Sequence, residues 1–276
     1  MDAGVRRCHT AGVRRLLLAL LLALTAPAAS HAGGNAAAGK GKSLVCAACH
    51  ATQDPASDAP RIAGQSAPYL ARQLTAFRNG ERTSPMMNAV AHQLTDADVD
   101  DLAAFWAGEP PGSDNQPPAA AASILKSHMG FPRDFPAGFV LYLTANNAEQ
   151  KTVRKTYINT IGWNAARAGK PLPDGSIVIA AIYAPRLGAD QRPIMNKDGT
   201  WAIDKLNAYA GMEARAAWGQ DIPALLRNAT WNYTLFRADK TPRDGNQALC
   251  LACHKPQAAV SYVFTFNELW DRAHAR

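Results

Sequence analysis

The apolar residues in the first third of the chain recur at helical spacing. One predicted helix carries its apolar face on Val99, Leu102, Ala103 and Trp106. The preceding Thr95-Asp96-Ala97-Asp98 supplies a cap and acidic residues for the first turn. An earlier helix is predicted from Pro68 through Phe77, with Gly80 placed to end it. This part is therefore predicted to be all-α.

The last 150 residues or so have a different pattern, in which apolar and β-branched residues form short runs between turn signals. Four segments are predicted to be strands: Phe139–Thr144, Tyr157–Asn159, Ser176–Tyr183 and Trp231–Phe236. A helical stretch is predicted around Ile203 to Ala217. The pattern indicates a mixed α/β domain, with one antiparallel sheet and helices packed on it.

A Pro/Ala-rich segment, residues 111–125, separates the two patterns and is predicted to be an extended linker. The domains are therefore placed at 33–110 and 126–276. Residues 1–32 carry arginines, a short apolar run from Leu16 to Leu24 and then small residues, which is typical of a secretory signal peptide. Cleavage is expected after Ala28 or Ala32. The mature protein is expected in the periplasm and not as an integral membrane protein.

Two copies of a Cys-x-x-Cys-His motif stand near the two ends of the chain. They are Cys46-Ala47-Ala48-Cys49-His50 and Cys250-Leu251-Ala252-Cys253-His254. This motif is typical of covalent haem c attachment, in which the thiols bond to the haem and the histidine is the proximal iron ligand. Zinc is the alternative, but each cluster holds a single adjacent histidine. Two covalently bound haem c groups are predicted.

The formal charge of +7 does not indicate a nucleic-acid partner. Residues 1–32 hold four arginines and one aspartate, so their removal leaves +4. The propionates of two haems would add up to about four negative charges, which brings the protein near neutrality.

Motifs around the first Cys-x-x-Cys-His resemble class I cytochromes c, specifically the small bacterial types related to cytochrome c4. They are Pro60–Gln65, Tyr69-Leu70, Gln73-Leu74, and Met87 followed by Leu94-Thr95-Asp96. The resemblance implies a methionine as sixth iron ligand, and the family spacing selects Met87 over Met86. His92 is a further candidate for this sixth ligand. The resemblance also implies that the carbonyl of Pro60 orients His50, and that this haem carries electrons and binds no substrate.

The C-terminal part resembles the cytochrome P460 family, which includes the β-sheet type of cytochrome c′. The marks are Tyr157-Ile158-Asn159, Gly169–Gly175, Gly211–Ala214, Cys250–Lys255 and Tyr262–Thr265. The resemblance implies a haem held by His254 with an open distal position. Met195 and Met212 are the methionines that compete for that position.

The chain departs from P460 enzymes at one position. Those enzymes oxidise hydroxylamine and carry a lysine cross-linked to the haem, whereas the corresponding position here is Ala180. The cross-link is therefore expected to be absent. Glu213 matches a distal glutamate of the family and is a candidate catalytic proton relay. The alternative is a solvated helix carboxylate paired with Arg215 or Arg167.

Three functions follow as hypotheses. The first is a dihaem redox protein in which the open haem meets a small diatomic or nitrogen ligand and the closed haem passes electrons to periplasmic redox partner proteins. The second is a nitric-oxide binding or sensing module without turnover. The third is a plain electron carrier with both irons six-coordinate.

Overall fold

The computed structural model describes residues 33–50, 59–113, 126–244 and 247–275. The predicted signal peptide and nearly all of the predicted linker lie outside these ranges, so both remain predictions. Residues 34–276 form one compact unit. None of the helices in the described ranges has both the length and the apolar character needed to cross a bilayer.

The N-terminal part is helical, as predicted. Its helices are α1 (Ala36–Lys42), α2 (Leu44–His50), α3 (Ala67–Arg78), α4 (Pro85–Ala91) and α5 (Asp96–Gly108). The predicted capping box is present at the start of α5, where Thr95 and Asp98 satisfy each other's backbone N–H groups. The apolar face of α5 packs into a core with α3, and that core includes Leu70, Val99 and Leu102.

The C-terminal part contains an antiparallel sheet, also as predicted. The described residues form five strands in the order of the chain: β1 (Phe139–Asn147), β2 (Thr152–Asn159), β3 (Ile177–Pro185), β4 (Ile203–Ala214) and β5 (Trp231–Arg237). Three helices accompany it: α6 (Thr160–Arg167), α7 (Ala248–His254) and α8 (Phe266–His274), with a 3₁₀ helix (Lys255–Val260) after α7.

The helix predicted around Ile203 to Ala217 is wrong, because residues 203–214 form β4. This strand is hydrogen bonded on both sides, to β3 and to β5. Its sequence is rich in alanine and other helix formers, but a central position in the sheet outweighs that local preference.

The two faces of the sheet are covered differently. On one face lie the helices of the C-terminal part, packed over Val178, Met212 and Tyr233. On the other face the segment before β1 packs through an aromatic cluster that includes Phe135, Tyr209 and Phe236. Successive strand residues point to opposite faces. A residue therefore lies on the same face as the residues two positions before and after it in its strand.

Candidate haem-binding sites

The first Cys-x-x-Cys-His motif forms most of α2, and a cavity of about 630 Å³ lies beside it. Among its lining residues are Cys46, Cys49, His50, Tyr69, Met86, Met87 and Trp106. The site thus brings the two predicted attachment cysteines, the predicted proximal histidine and both candidate methionines to one cavity. His92 is exposed at the end of α4 and is not among the lining residues.

The ring of His50 is oriented by a backbone contact. Its Nδ1 atom lies 2.6 Å from the carbonyl oxygen of Pro60, which accepts the hydrogen bond. This is the contact that the sequence predicted. A hydrogen bond at Nδ1 fixes the tautomer and leaves Nε2 as the nitrogen for a metal.

Met86 and Met87 occupy adjacent positions in α4 but have different surroundings. Met86 packs against the core cluster that α4 shares with the C-terminal part, whereas Met87 is not among the residues packed there. Both line the cavity. The packing therefore favours Met87 as the thioether for a bound iron, although its ligand role remains a prediction.

The chemistry of this cavity suits a haem. Burial raises the pKa of the Cys49 thiol to about 11. Burial raises the pKa of the Cys46 thiol to about 11, and the neighbouring Trp106 side chain works against that rise.

The second motif forms α7, and its histidine is held in the same manner as the first. The Nδ1 atom of His254 lies 2.7 Å from the carbonyl oxygen of Tyr262. Its ring contacts Tyr233, at 4.6 Å between ring centroids, and Phe264, at 4.8 Å. Burial lowers the pKa of His254, which favours the neutral imidazole that binds metals.

Beyond Tyr233, the face of the sheet that carries α7 includes two alanines on its central strands. The register places Thr156, Ala180, Ala210 and Leu235 side by side across four strands. Leu235 is 44 % exposed, and the two alanines are half-buried. Ala180 and Ala210 share this sheet face with Tyr233, whose ring the His254 ring contacts. A haem at the second motif remains a prediction.

Arg154 was missed by the sequence reasoning and lies on this same face. It pairs with Ile182, two residues along β3 from Ala180. Its Nε atom is buried and has no hydrogen-bond partner in the part of the chain that the structure describes. The alternation of β2, in which Thr156 and Ile158 also face this side, is the signal that could have found it.

Glu213 is not brought together with His254. Its neighbours Met212 and Ala214 pack with the helices, so Glu213 points to the other face, where it lines a hollow with Phe131 and Trp218. It is buried, and its Oε1 atom accepts a hydrogen bond from Nε of Arg215 at 2.6 Å. The interpretation as a solvated helix carboxylate is wrong, since the residue is buried on a strand, but the expected partner Arg215 is confirmed.

The two methionines that the sequence analysis named beside His254 also have defined positions. Met212 is buried in the core beside α7, and Met195 is 60 % exposed in the segment between β3 and β4. Among the described residues, no three His, Cys, Asp or Glu side chains converge in a way that could hold a metal ion alone.

The helices that carry the two motifs pack against each other. Val45 and Ala48 of α2 share one buried cluster with Leu251 and Ala252 of α7, and α4 also contacts α7. The two predicted haem sites are therefore neighbours in the folded chain, although about 200 residues separate them in sequence.

Comparisons with known proteins match both parts. The family model described as cytochrome P460 matches residues 132–265. The model described as cytochrome C oxidase, cbb3-type, subunit III matches residues 31–105.

Relatives are cytochromes as well. The chain is 40 % identical over 81 residues to cytochrome c-554(548) of Halomonas halodenitrificans, a match that covers 28 % of this chain and 98 % of the relative. It is 39 % identical over 99 residues to cytochrome c4 of Pseudomonas aeruginosa, with 35 % of this chain and 49 % of the relative covered. A thiosulfate dehydrogenase electron acceptor of Stutzerimonas stutzeri is 38 % identical over 95 residues, which is 31 % of this chain and 42 % of the relative.

The chain spans about half the length of the cytochromes c4 that it matches, and nearly all of cytochrome c-554(548). The P460 match accounts for the sheet and for the second motif. The chain therefore belongs to the c-type cytochromes, and it joins a class I cytochrome c domain of the cytochrome c4 type to a domain of the cytochrome P460 family.

Proposed function

We propose that this protein is an exported dihaem cytochrome that transfers electrons between a small nitrogen ligand, of the nitric oxide or hydroxylamine class, and a redox partner protein of the periplasm. The observation that carries the proposal is the direct packing of α2 on α7. Two motif helices in contact place both attachment sites at one junction. Such closeness is what electron transfer between two cofactors requires.

In this proposal the haem chemistry is one-electron transfer at both sites, with a ligand position at the second. The residues of the first site close it. His50, oriented by Pro60, and Met87 would hold the iron of a haem bound in this cavity. Such a haem would supply one-electron transfer and leave no position for a substrate.

The residues of the second site leave it open. His254 is held by the carbonyl of Tyr262, and the central strands of the sheet present Ala180 and Ala210 on the face shared with Tyr233. Small apolar side chains exclude water and provide no competing ligand. A small uncharged molecule is the ligand that such a surface admits.

Ala180 also favours a second candidate function, which is capture of nitric oxide without turnover. It lies on the same sheet face as Tyr233, where P460 enzymes place their cross-linking lysine. An alanine cannot form that cross-link, so we expect ligand binding with slow or absent hydroxylamine oxidation. Reduction of the first haem after a nitrogen ligand is added to the oxidised protein would support turnover, and binding without that reduction would support capture.

The names of the relatives support a protein partner, since one of them is an electron acceptor of a dehydrogenase. We propose the periplasm as the compartment, because covalent haem attachment at both motifs would follow export and removal of residues 1–32.

The test combines mass and ligand binding. The intact mature protein should exceed its polypeptide by two haem masses, and carbon monoxide should change the ferrous spectrum of one haem only. Replacing Cys250 and Cys253 by serine should abolish the carbon monoxide response, while the same change at Cys46 and Cys49 should retain it. A response from neither haem would contradict the open second site and support a plain electron carrier.

A further inference from the structure

The cavity beside α2 is not built by the N-terminal part alone. Part of its wall comes from the C-terminal part, through Leu225, Leu226, Leu249 and Ala252. Leu225 also packs against the core of the N-terminal helices. The proposed first haem would therefore touch side chains from the domain of the second.

Two of these wall residues lie in the connection between β4 and β5, residues 215–230, which contains no regular helix or strand. Such a segment needs other hydrogen bonds to hold its position. Arg227 supplies two of them, from Nε to the carbonyl of Ile222 at 3.0 Å and from its terminal nitrogen to that of Gln220 at 3.2 Å. Asn228 supplies another, to the carbonyl of Leu251 in α7 at 3.0 Å.

The remaining anchor is Lys255, the residue directly after His254. Its Nζ atom donates to the carbonyl of Ala224 at 2.9 Å and to that of Arg227 at 2.7 Å. These two carbonyls flank Leu225 and Leu226. One side chain beside the second predicted proximal histidine thus adds two hydrogen bonds to the segment that closes the first cavity.

We infer that Lys255 is a positioning residue that sets the environment of the first haem from the second domain. The inference rests on the proposed haem at each motif. Without the ammonium group, two carbonyls lose their donor and the segment around Leu225 moves away from the cavity. Water then reaches the cavity and stabilises the oxidised haem, because the apolar shell around a metal site controls its redox potential.

The test is the reduction potential of the first haem, followed by optical titration of the mature protein. Lys255→Met should shift the potential to a more negative value. Lys255→Arg should keep the potential of the wild type, since arginine keeps both the charge and the hydrogen-bond donors. Lys197→Met is the matched control. Lys197 is exposed in the same domain and loses the same charge. Equal shifts from the two methionine variants would overturn the inference.

A double variant separates an effect through the 215–230 segment from other effects of Lys255, such as its charge. Leu225→Ala opens the same wall without a change in charge and should also shift the potential to a more negative value. If both residues act through one wall, the double variant should shift no further than the larger single shift. Additive shifts would overturn the inference. Neither result depends on ligand binding at the second haem, so failure here is distinguishable from failure of the proposed function.

Discussion

The placement of Glu213 leads to a prediction that separates a structural role from a catalytic one. Replacing it with glutamine keeps the size of the side chain and an acceptor for Arg215, but removes the charge. The glutamate side chain is 6 % exposed and its partner 53 % exposed, with 2.6 Å between Oε1 and Nε. Glu213→Gln should therefore weaken the fold without a change at the second haem.

The expected magnitude follows from these exposures. A hydrogen bond to a charged group contributes about 1.5–3 kcal/mol, and the half-exposed arginine reduces that value because water screens it. The free energy of unfolding should fall by about 1–2 kcal/mol, which lowers the melting temperature by roughly 2–8 °C in a protein of this size. Glu268→Gln, at an exposed position of α8, should change it by less than about 0.5 kcal/mol.

Urea unfolding measures the stability, and carbon monoxide titration of the reduced protein measures the second site. Because Glu213 lies on the sheet face away from α7, affinity for carbon monoxide should stay within about twofold of the wild type. A tenfold change in affinity with unchanged stability would refute the placement argument and return Glu213 to the role of proton relay.

Three further predictions concern the N-terminal helices. Met87→Ala should convert the first haem to high spin and lower its potential, whereas Met86→Ala should keep the low-spin spectrum; absorption spectra and redox titration decide between the two. Burial works to raise the pKa of Asp98, but hydrogen bonds from Lys42 and from the helix cap outweigh it and hold the value at about 2. This lowered pKa should contribute stability that is present above about pH 4 and lost as the pH falls toward 2, roughly 1 kcal/mol after solvent screening, and thermal unfolding of Asp98→Asn across this range should lack that loss. Gly39→Ala should lower the free energy of unfolding by about 1–3 kcal/mol in urea, because its Cβ would lie 2.0 Å from a backbone carbonyl of α5.

The elements with strong local signals could be predicted from the sequence. The capping box at Thr95, the apolar run of β3 and the alternation in β5 each depend on residues close together in the chain. β4 could not be predicted, because its alanines carry a helical preference that only pairing with neighbouring strands overrides.

The residue types of the site could be predicted from the sequence, but their positions relative to each other in space could not. The motif residues and the contact of His50 with Pro60 follow from short-range spacing. The side of the sheet that Glu213 faces depends on strand alternation, and the predicted helix over this segment carries no such alternation. The contact of α2 with α7 joins residues about 200 positions apart, and no local pattern carries that information.

The buried junction between α2 and α7 also constrains the order of assembly. Ala48 is 4 % exposed and Ala252 is 3 % exposed, so the interiors of both motifs face each other. An enzyme that attaches haem needs access to both cysteines of a motif, and the docked arrangement covers one side of each. If both motifs carry haem, attachment at both should therefore precede the docking of α2 on α7, so that only chains with both haems attached reach the docked state.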